Sequence, residues 1–162
     1  MNIPESRSIH LQYLGNTDLL QLPKTAFLCS RHISASAVLK CYDWASEQRR
    51  QGVCVIGGFH SPLEKDVFQI LIKGSQPLVM VLGRAMYKNL PEIYQTALLQ
   101  NRLLIVSVAP STPRHSTQSA LKRNKYIIEN AQKVVFGWLD PLGELTKLYE
   151  NYKSSDKQII IL

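Results

Sequence analysis

Six apolar runs punctuate the chain: Thr25 to Cys29 (TAFLC), Val53 to Gly57 (VCVIG), Pro77 to Gly83 (PLVMVLG), Leu103 to Val108 (LLIVSV), Lys133 to Trp138 (KVVFGW) and Gln158 to Leu162 (QIIIL). Several are continuous rather than alternating, as expected of strands covered on both faces, and they predict a parallel sheet flanked by helices. A short leading strand, residues 9–14 (IHLQYL), precedes them and ends at a Gly15-Asn16 turn.

Amphipathic segments lie between the runs. Val38, Cys41 and Ala45 recur at helical spacing and stop at Gly52, a good position for a C-cap. A second helix runs from Pro62 to about Lys73 with Leu63, Val67, Ile70 and Leu71 on one stripe, and a shorter one covers Pro91 to Gln100. Another spans Thr117 to Gln132, and the last, with Leu142, Leu145, Leu148 and Tyr149 on one face, spans Pro141 to Tyr152. Strand and helix alternate throughout. The pattern predicts a single α/β domain over residues 1–162, doubly wound, with a mostly parallel sheet of about six strands flanked by helices and the 9–14 strand joined to the core. In such folds ligands sit at the carboxyl ends of the strands, where strand order reverses. The turns to watch are therefore CSRHIS, GGFHSP, GRAMYKNLP, VAPSTPRHST and WLDPLG.

The second of these turns carries the most local information. Gly57 and Gly58 end a strand where a backbone without Cβ takes unusual dihedrals and admits close approach. Ser61, Pro62 and Glu64 then read as N-cap, first and third helical positions, a capping box with proline where its missing N–H is harmless. The helix start could receive a phosphate, or it could be closed by its own cap; the residues leave both open. This is not a GxGxxG fingerprint, because the third glycine and its spacing are missing.

Charge changes the picture modestly. Lys and Arg outnumber Asp and Glu by 19 to 12, and the formal net charge of +7 makes an anionic partner plausible against the alternative of a solvated basic surface. Cys29, Cys41 and Cys54 lack zinc-site spacing and read as small core residues in a reducing compartment. No metal or cofactor is expected. No apolar run reaches membrane-spanning length and the N-terminus lacks a signal peptide's apolar segment, so a cytoplasmic protein without membrane contact is expected.

Three of these segments, in order, carry a family likeness. Tyr13 to Arg31 (YLGNTDLLQLPKTAFLCSR) is similar to a leading strand and first core strand ending in Gly-Ser-Arg, with Cys29 in place of the glycine. GGFHSPLEKD is similar to a Ser-Gly-x-Ala-x-Gly-Ile-Asp turn, with Gly58 matching and Glu64 where the Asp would be. Ala120 to Phe136 resembles an Arg-Arg-Asn-Arg helix followed by a strand, with Lys122, Arg123, Asn124 and Lys125 at those positions. Together they resemble the Rossmann-like core of the DprA/Smf family of DNA-processing proteins, over about Ile9 to Phe136. Ser61 and Pro62 depart from the family's basic residue and glycine, and the chain has the look of a stand-alone, divergent member.

The resemblance implies single-stranded DNA or nucleotide binding in a basic pocket at the strand ends, as a homodimer and without chemistry; a recombinase partner is not supported by the sequence. By position it transfers Ser30, Arg31, Gly58, Arg123, Asn124 and Lys125, and Glu64 as a carboxylate. The residues themselves add more. Arg31 follows a strand where a guanidinium can hold a phosphate, the alternative being a salt bridge to Glu64. Asn124 shares a stripe with Ala120, Ile127 and Ala131, so its amide faces the core side and needs partners. Gly57, Gly58, Phe59 and His60 form the turn and the floor of an expected cleft, Phe59 as a stacking surface and His60 as a donor; Arg84 and Lys88 add positive charge at its rim, and Arg31 with the Lys122 to Lys125 cluster forms its positive walls. Two other readings stand beside DNA binding: a nucleotide-sensing module, and a LOG-type enzyme cleaving nucleoside monophosphates, for which only Glu64 offers a crude carboxylate and no Pro-Gly-Gly-x-Gly-Thr turn is present.

Overall fold

The computed structural model describes residues 10–162, so Ile9 of the expected leading strand lies outside the described residues. All six apolar runs become strands: β2 (Thr25–Leu28), β3 (Val55–Gly57), β4 (Leu78–Leu82), β5 (Leu103–Ser107), β6 (Lys133–Phe136) and β7 (Gln158–Ile161). With the leading strand β1 (Gln12–Gly15) they make one seven-stranded sheet in the order β1-β5-β4-β3-β2-β6-β7, one more than the rounded expectation. β1 runs antiparallel to β5 at one edge, and every other pairing is parallel. The central strands are buried along their whole length, which is why their sequences are continuous rather than alternating.

Helices cover both faces. Helices α1 (Ala35–Gln51), α2 (Pro62–Ile72) and α3 (Glu92–Leu99) pack with Phe27, Val55, Met80 and Ile105 into one core layer. A 3-10 helix (Thr17–Gln21), α4 (Thr117–Glu129) and α5 (Glu144–Tyr152) pack with Ala26, Ile56, Val79 and Val134 into the other. Helix α1 stops at Gly52, whose φ of +74° allows the left-handed turn that glycine takes without strain. Helix α2 begins with the expected box: Ser61 Oγ accepts from the Glu64 amide, and Pro62 fills the first turn. Among the described residues no helix is long and apolar enough to cross a membrane. All three cysteines are buried and unbridged. Burial lifts the Cys54 thiol to about 11; Cys29 is raised by a hydrogen bond with the Cys41 thiol and by burial.

One boundary differs in a way that matters below. The last helix starts at Glu144 rather than Pro141, because residues 140–143 form a turn in which the Leu142 amide donates to Asp140 Oδ1 (3.1 Å) and the Gly143 amide to the Asp140 carbonyl (2.9 Å). Leu142, expected on the helix's apolar stripe, is consequently 93% exposed.

Candidate functional site

After β2 the chain lays β3, β4 and β5 outward in one direction, then returns through α4 to place β6 on the other side of β2. The turns after β2 and β6 therefore leave in opposite directions and open a crevice, the usual ligand position in a doubly wound sheet. Ser30 ties its two banks together: its amide donates to the Trp138 carbonyl (3.0 Å), and its Oγ accepts from the Asp140 amide (2.9 Å). The resulting cleft has a volume of about 480 Å³. The turns after β2 and β3 form its floor, and α4 and the start of α5 its walls.

Glu64 holds that floor in shape. Its carboxylate, only 5% exposed, accepts from the backbone amides of Cys29 (2.9 Å), His60 (3.0 Å) and Ser61 (3.2 Å), and Ser61 Oγ donates to the Cys29 carbonyl (3.3 Å). The first turn of α2 is thus closed by its own chain. Glu64 lines the cleft, but its oxygens already serve the turns after β2 and β3, which corrects its expected place among the ligand contacts. Phe59 is a second correction. The positive φ in this turn (+48°) falls on Phe59 and not on the glycines, and it swings the ring inward to 4.9 Å from Phe68. At 4% exposure it offers no face for a base. The glycines make room for side chains, not for a ligand: a Cβ on Gly57 would lie 3.0 Å from the Phe59 ring, and one on Gly58 only 2.8 Å from Arg123 Nε.

Arg123 lies across Gly58 and lines the cleft at 6% exposure. Its Nε donates to Asn124 Oδ1 (3.1 Å), while its Nη1 is buried with no hydrogen-bond partner among the described residues. Burial lowers its pKa from the usual arginine value, and the Glu64 carboxylate partly opposes that shift. A buried guanidinium N–H without an acceptor is costly, on the order of 1–3 kcal/mol or more, and calls for an anion. Arg31, exposed on the same cleft, does not pair with Glu64. Among the described residues the ion pairs join Glu47 to Arg50, Glu144 to Lys147 and Glu150 to Lys153, each along its own helix, so the cationic groups of the cleft remain uncommitted.

The α4 stripe differs from the expected one. Its buried residues are Ser119, Arg123, Ile127 and Ile128, with Asn124 half-buried beside them. This turns Lys122 and Lys125 to the opposite flank, where they line a separate depression with Val108, Tyr126 and Glu129. They do not form walls of the cleft, as had been expected. Arg84 follows β4, a strand further from the crevice; its Nε donates to the Ala85 carbonyl (3.2 Å) and its guanidinium sits 5.4 Å from the centre of the Tyr87 ring. It borders the site through His115 rather than lining it.

His60 and His115 stack at 4.2 Å between ring centres. Burial lowers the His60 pKa, with Arg123, Lys65 and Arg31 adding to the effect. Burial also brings His115 down to about 4, helped by His60, Arg123, Arg84 and Lys65. Burial and the neighbouring cations push both imidazoles toward their neutral form. Sequence reasoning singled out the WLDPLG turn but not its residues, and the structure adds Asp140, Glu144, Leu145 and Leu148 from that side and Thr117, Ala120 and Leu121 from α4. They carry no motif; only the position of their turn at a strand end marked them.

The comparisons agree with this architecture. DNA processing protein A from Streptococcus pneumoniae superposes with a TM-score of 0.76 at 17% identity, over 93% of this chain and 54% of that one, so the chain spans about half that relative's length. DNA processing protein A from Helicobacter pylori, described for its single-stranded DNA binding mode, gives 0.72 at 19% identity over 99% of this chain and 78% of its own. The molybdenum cofactor binding protein of Rippkaea orientalis shares the fold more distantly, at 0.58 and 12% identity over 86% of this chain and 75% of that one. No curated protein matches the sequence significantly. Residues 2–136, most of the chain and all three of the likeness-bearing segments, match the model of the DNA recombination-mediator protein A family, and the protein belongs to that family.

Proposed function

We propose that the cleft binds phosphates of single-stranded DNA, with Arg123 as the buried anchor, Arg31 as the exposed partner, and His60 and Ser30 as hydrogen-bonding neighbours. The observation that carries this reading is the unpartnered Nη1 of Arg123 beside uncommitted cations. The Helicobacter pylori relative's described single-stranded DNA binding supports the choice of polymer. No chemical step is assigned to the site: the His60 and His115 rings stack on each other, with the charges of Arg123 and Lys65 nearby. The protein works as a homodimer in the cytoplasm in this reading; its mass by light scattering tests the first point.

Titration of a fluorescent oligothymidylate, followed by anisotropy at several salt concentrations, tests the proposal. Neutralising two phosphates through Arg31 and Arg123 makes binding about sevenfold weaker between 50 and 200 mM salt. Arg123→Ala weakens it about tenfold to a hundredfold and Arg31→Ala less, the exposed Arg31 variant guarding against misfolding. An absence of binding at low salt refutes the DNA reading. A second reading, a free mononucleotide as ligand, is favoured by the presence of Asp140 and Glu144 on one wall, which disfavours a continuous phosphate track there; tight mononucleotide binding without oligonucleotide affinity would support it.

A further inference from the structure

His60 and His115 reach each other from two loops. His60 follows β3 and lines the cleft; His115 closes the loop after β5, directly before Ser116, the N-cap of α4. Their rings lie 4.2 Å apart, tilted by 47°. Gly83, just after β4, makes the room: a Cβ there would come within 3.1 Å of the His115 ring. The bond from His60 to Glu64 runs through the backbone amide, so it leaves the ring nitrogens unspent. Cations surround the pair. Arg31 after β2, Lys65 in α2 and Arg123 in α4 act on His60, while Arg84 after β4 joins Lys65 and Arg123 in acting on His115. Arg114 precedes His115 in the chain, and His32 shares the cleft. Three carboxylates line the same cleft: Glu64, whose oxygens hold backbone amides, and Asp140 and Glu144, from the turn after β6 and the start of α5.

Two imidazoles crowded among cations hold protons weakly, and burial weakens that hold further. An anion docking among the same cations reverses the balance, because its charge favours imidazolium. The coupling is reciprocal: the factor by which the anion raises proton affinity is the factor by which the proton raises anion affinity. We propose that His60 and His115 form one proton-binding unit of the anion site, so that a phosphate group enters the cleft together with a proton. His60, which lines the cleft, takes that proton from solvent onto a ring nitrogen and faces the anion beside Arg123 as a second cation. His115 remains neutral and acts as a positioning residue: its ring covers His60, and protonating both would set two like charges 4.2 Å apart. This rests on the anion site proposed above and adds to it a dependence on pH.

The probe is an oligothymidylate without a terminal phosphate, whose own charge is constant between pH 5.5 and pH 8, carrying a label insensitive to pH. Its affinity for the full chain, read by anisotropy at fixed ionic strength, rises about fivefold to tenfold from pH 8 to pH 5.5, as one proton gained near the ordinary histidine value of about 6.5 requires. His60→Gln removes the rise. His115→Gln, which uncovers the His60 ring, moves its onset to higher pH. Calorimetric titrations at pH 6 in two buffers of unlike ionisation heat give the uptake directly, about half to one proton per strand bound. In the parent protein the His60 ring resonance titrates at higher pH with the strand bound than without it, a signature that needs no variant. A rise that survives His60→Gln belongs to Asp140 and Glu144 losing their charge and overturns the proposal. Equal affinity across the range with no proton taken up overturns it as well, while leaving the anion site standing. No binding at any pH overturns both.

Discussion

Replacing Glu64 by glutamine tests whether this carboxylate builds the site rather than serving it. Oε1 accepts from His60 (3.0 Å) and Ser61 (3.2 Å), and Oε2 from Cys29 (2.9 Å). A glutamine has one oxygen to offer. If it stays with His60 and Ser61, its NH2 group opposes the Cys29 amide, and two donors meet in a place closed to solvent. Losing one hydrogen bond to a charged acceptor is worth about 1.5–3 kcal/mol, and leaving the buried Cys29 donor unmet adds on the order of 1 kcal/mol. The cation of Arg123 also loses its nearest opposing charge. We expect a loss of about 3 kcal/mol, which for a chain of this size lowers Tm by about 6–12 °C. Thermal denaturation followed by far-UV circular dichroism measures it, with exposed Glu92→Gln as the control that stays within about 0.5 kcal/mol. A Glu64→Gln midpoint within a degree or two of the parent would refute the clamp.

Other consequences are equally specific. Gly58→Ala places a Cβ 2.8 Å from Arg123 Nε and displaces the guanidinium; oligothymidylate affinity falls at least fivefold while stability drops by about 1–3 kcal/mol, read by anisotropy and denaturant unfolding. Lys122→Ala and Lys125→Ala, on the far flank of α4, each change that affinity less than twofold at moderate salt; a tenfold loss at either would place the binding surface there. His60 and His115 have folded pKa values below the ordinary histidine value of about 6.5, so the unfolded chain binds more protons as pH falls. Their contribution is present above about 6.5 and is lost as pH drops toward the His115 value of about 4. The Tm consequently falls between pH 7 and pH 4.5, and His115→Gln flattens that fall; an unchanged slope removes the histidine pair from the explanation.

The strands were readable because burial on both faces leaves an unbroken apolar run, as in β4 and β5. The start of α2 was readable because a capping box is local chemistry, complete within Ser61 to Glu64. What escaped depended on contacts distant in the chain. The inward turn of Phe59 is set by the space beside Phe68, and nothing in GGFH distinguishes it from an outward one. On α4 the buried stripe takes in Arg123, which lies over Gly58, and leaves Lys122 and Lys125 on the far flank; an apolar stripe read through Ala120 and Asn124 cannot show that an arginine is held inside by a glycine 65 residues away. Asp140 became part of the cleft through Ser30, a bond between residues 110 apart.

The most direct test is to map the bound strand. In a two-dimensional 1H–15N spectrum of the labelled protein titrated with oligothymidylate, the account predicts shifts at Ser30, Arg31, His60, Asn124 and the Arg123 side-chain Nε, with the Lys122, Lys125 and Tyr126 flank unmoved. Shifts confined to that flank, or spread evenly over the surface, would contradict it.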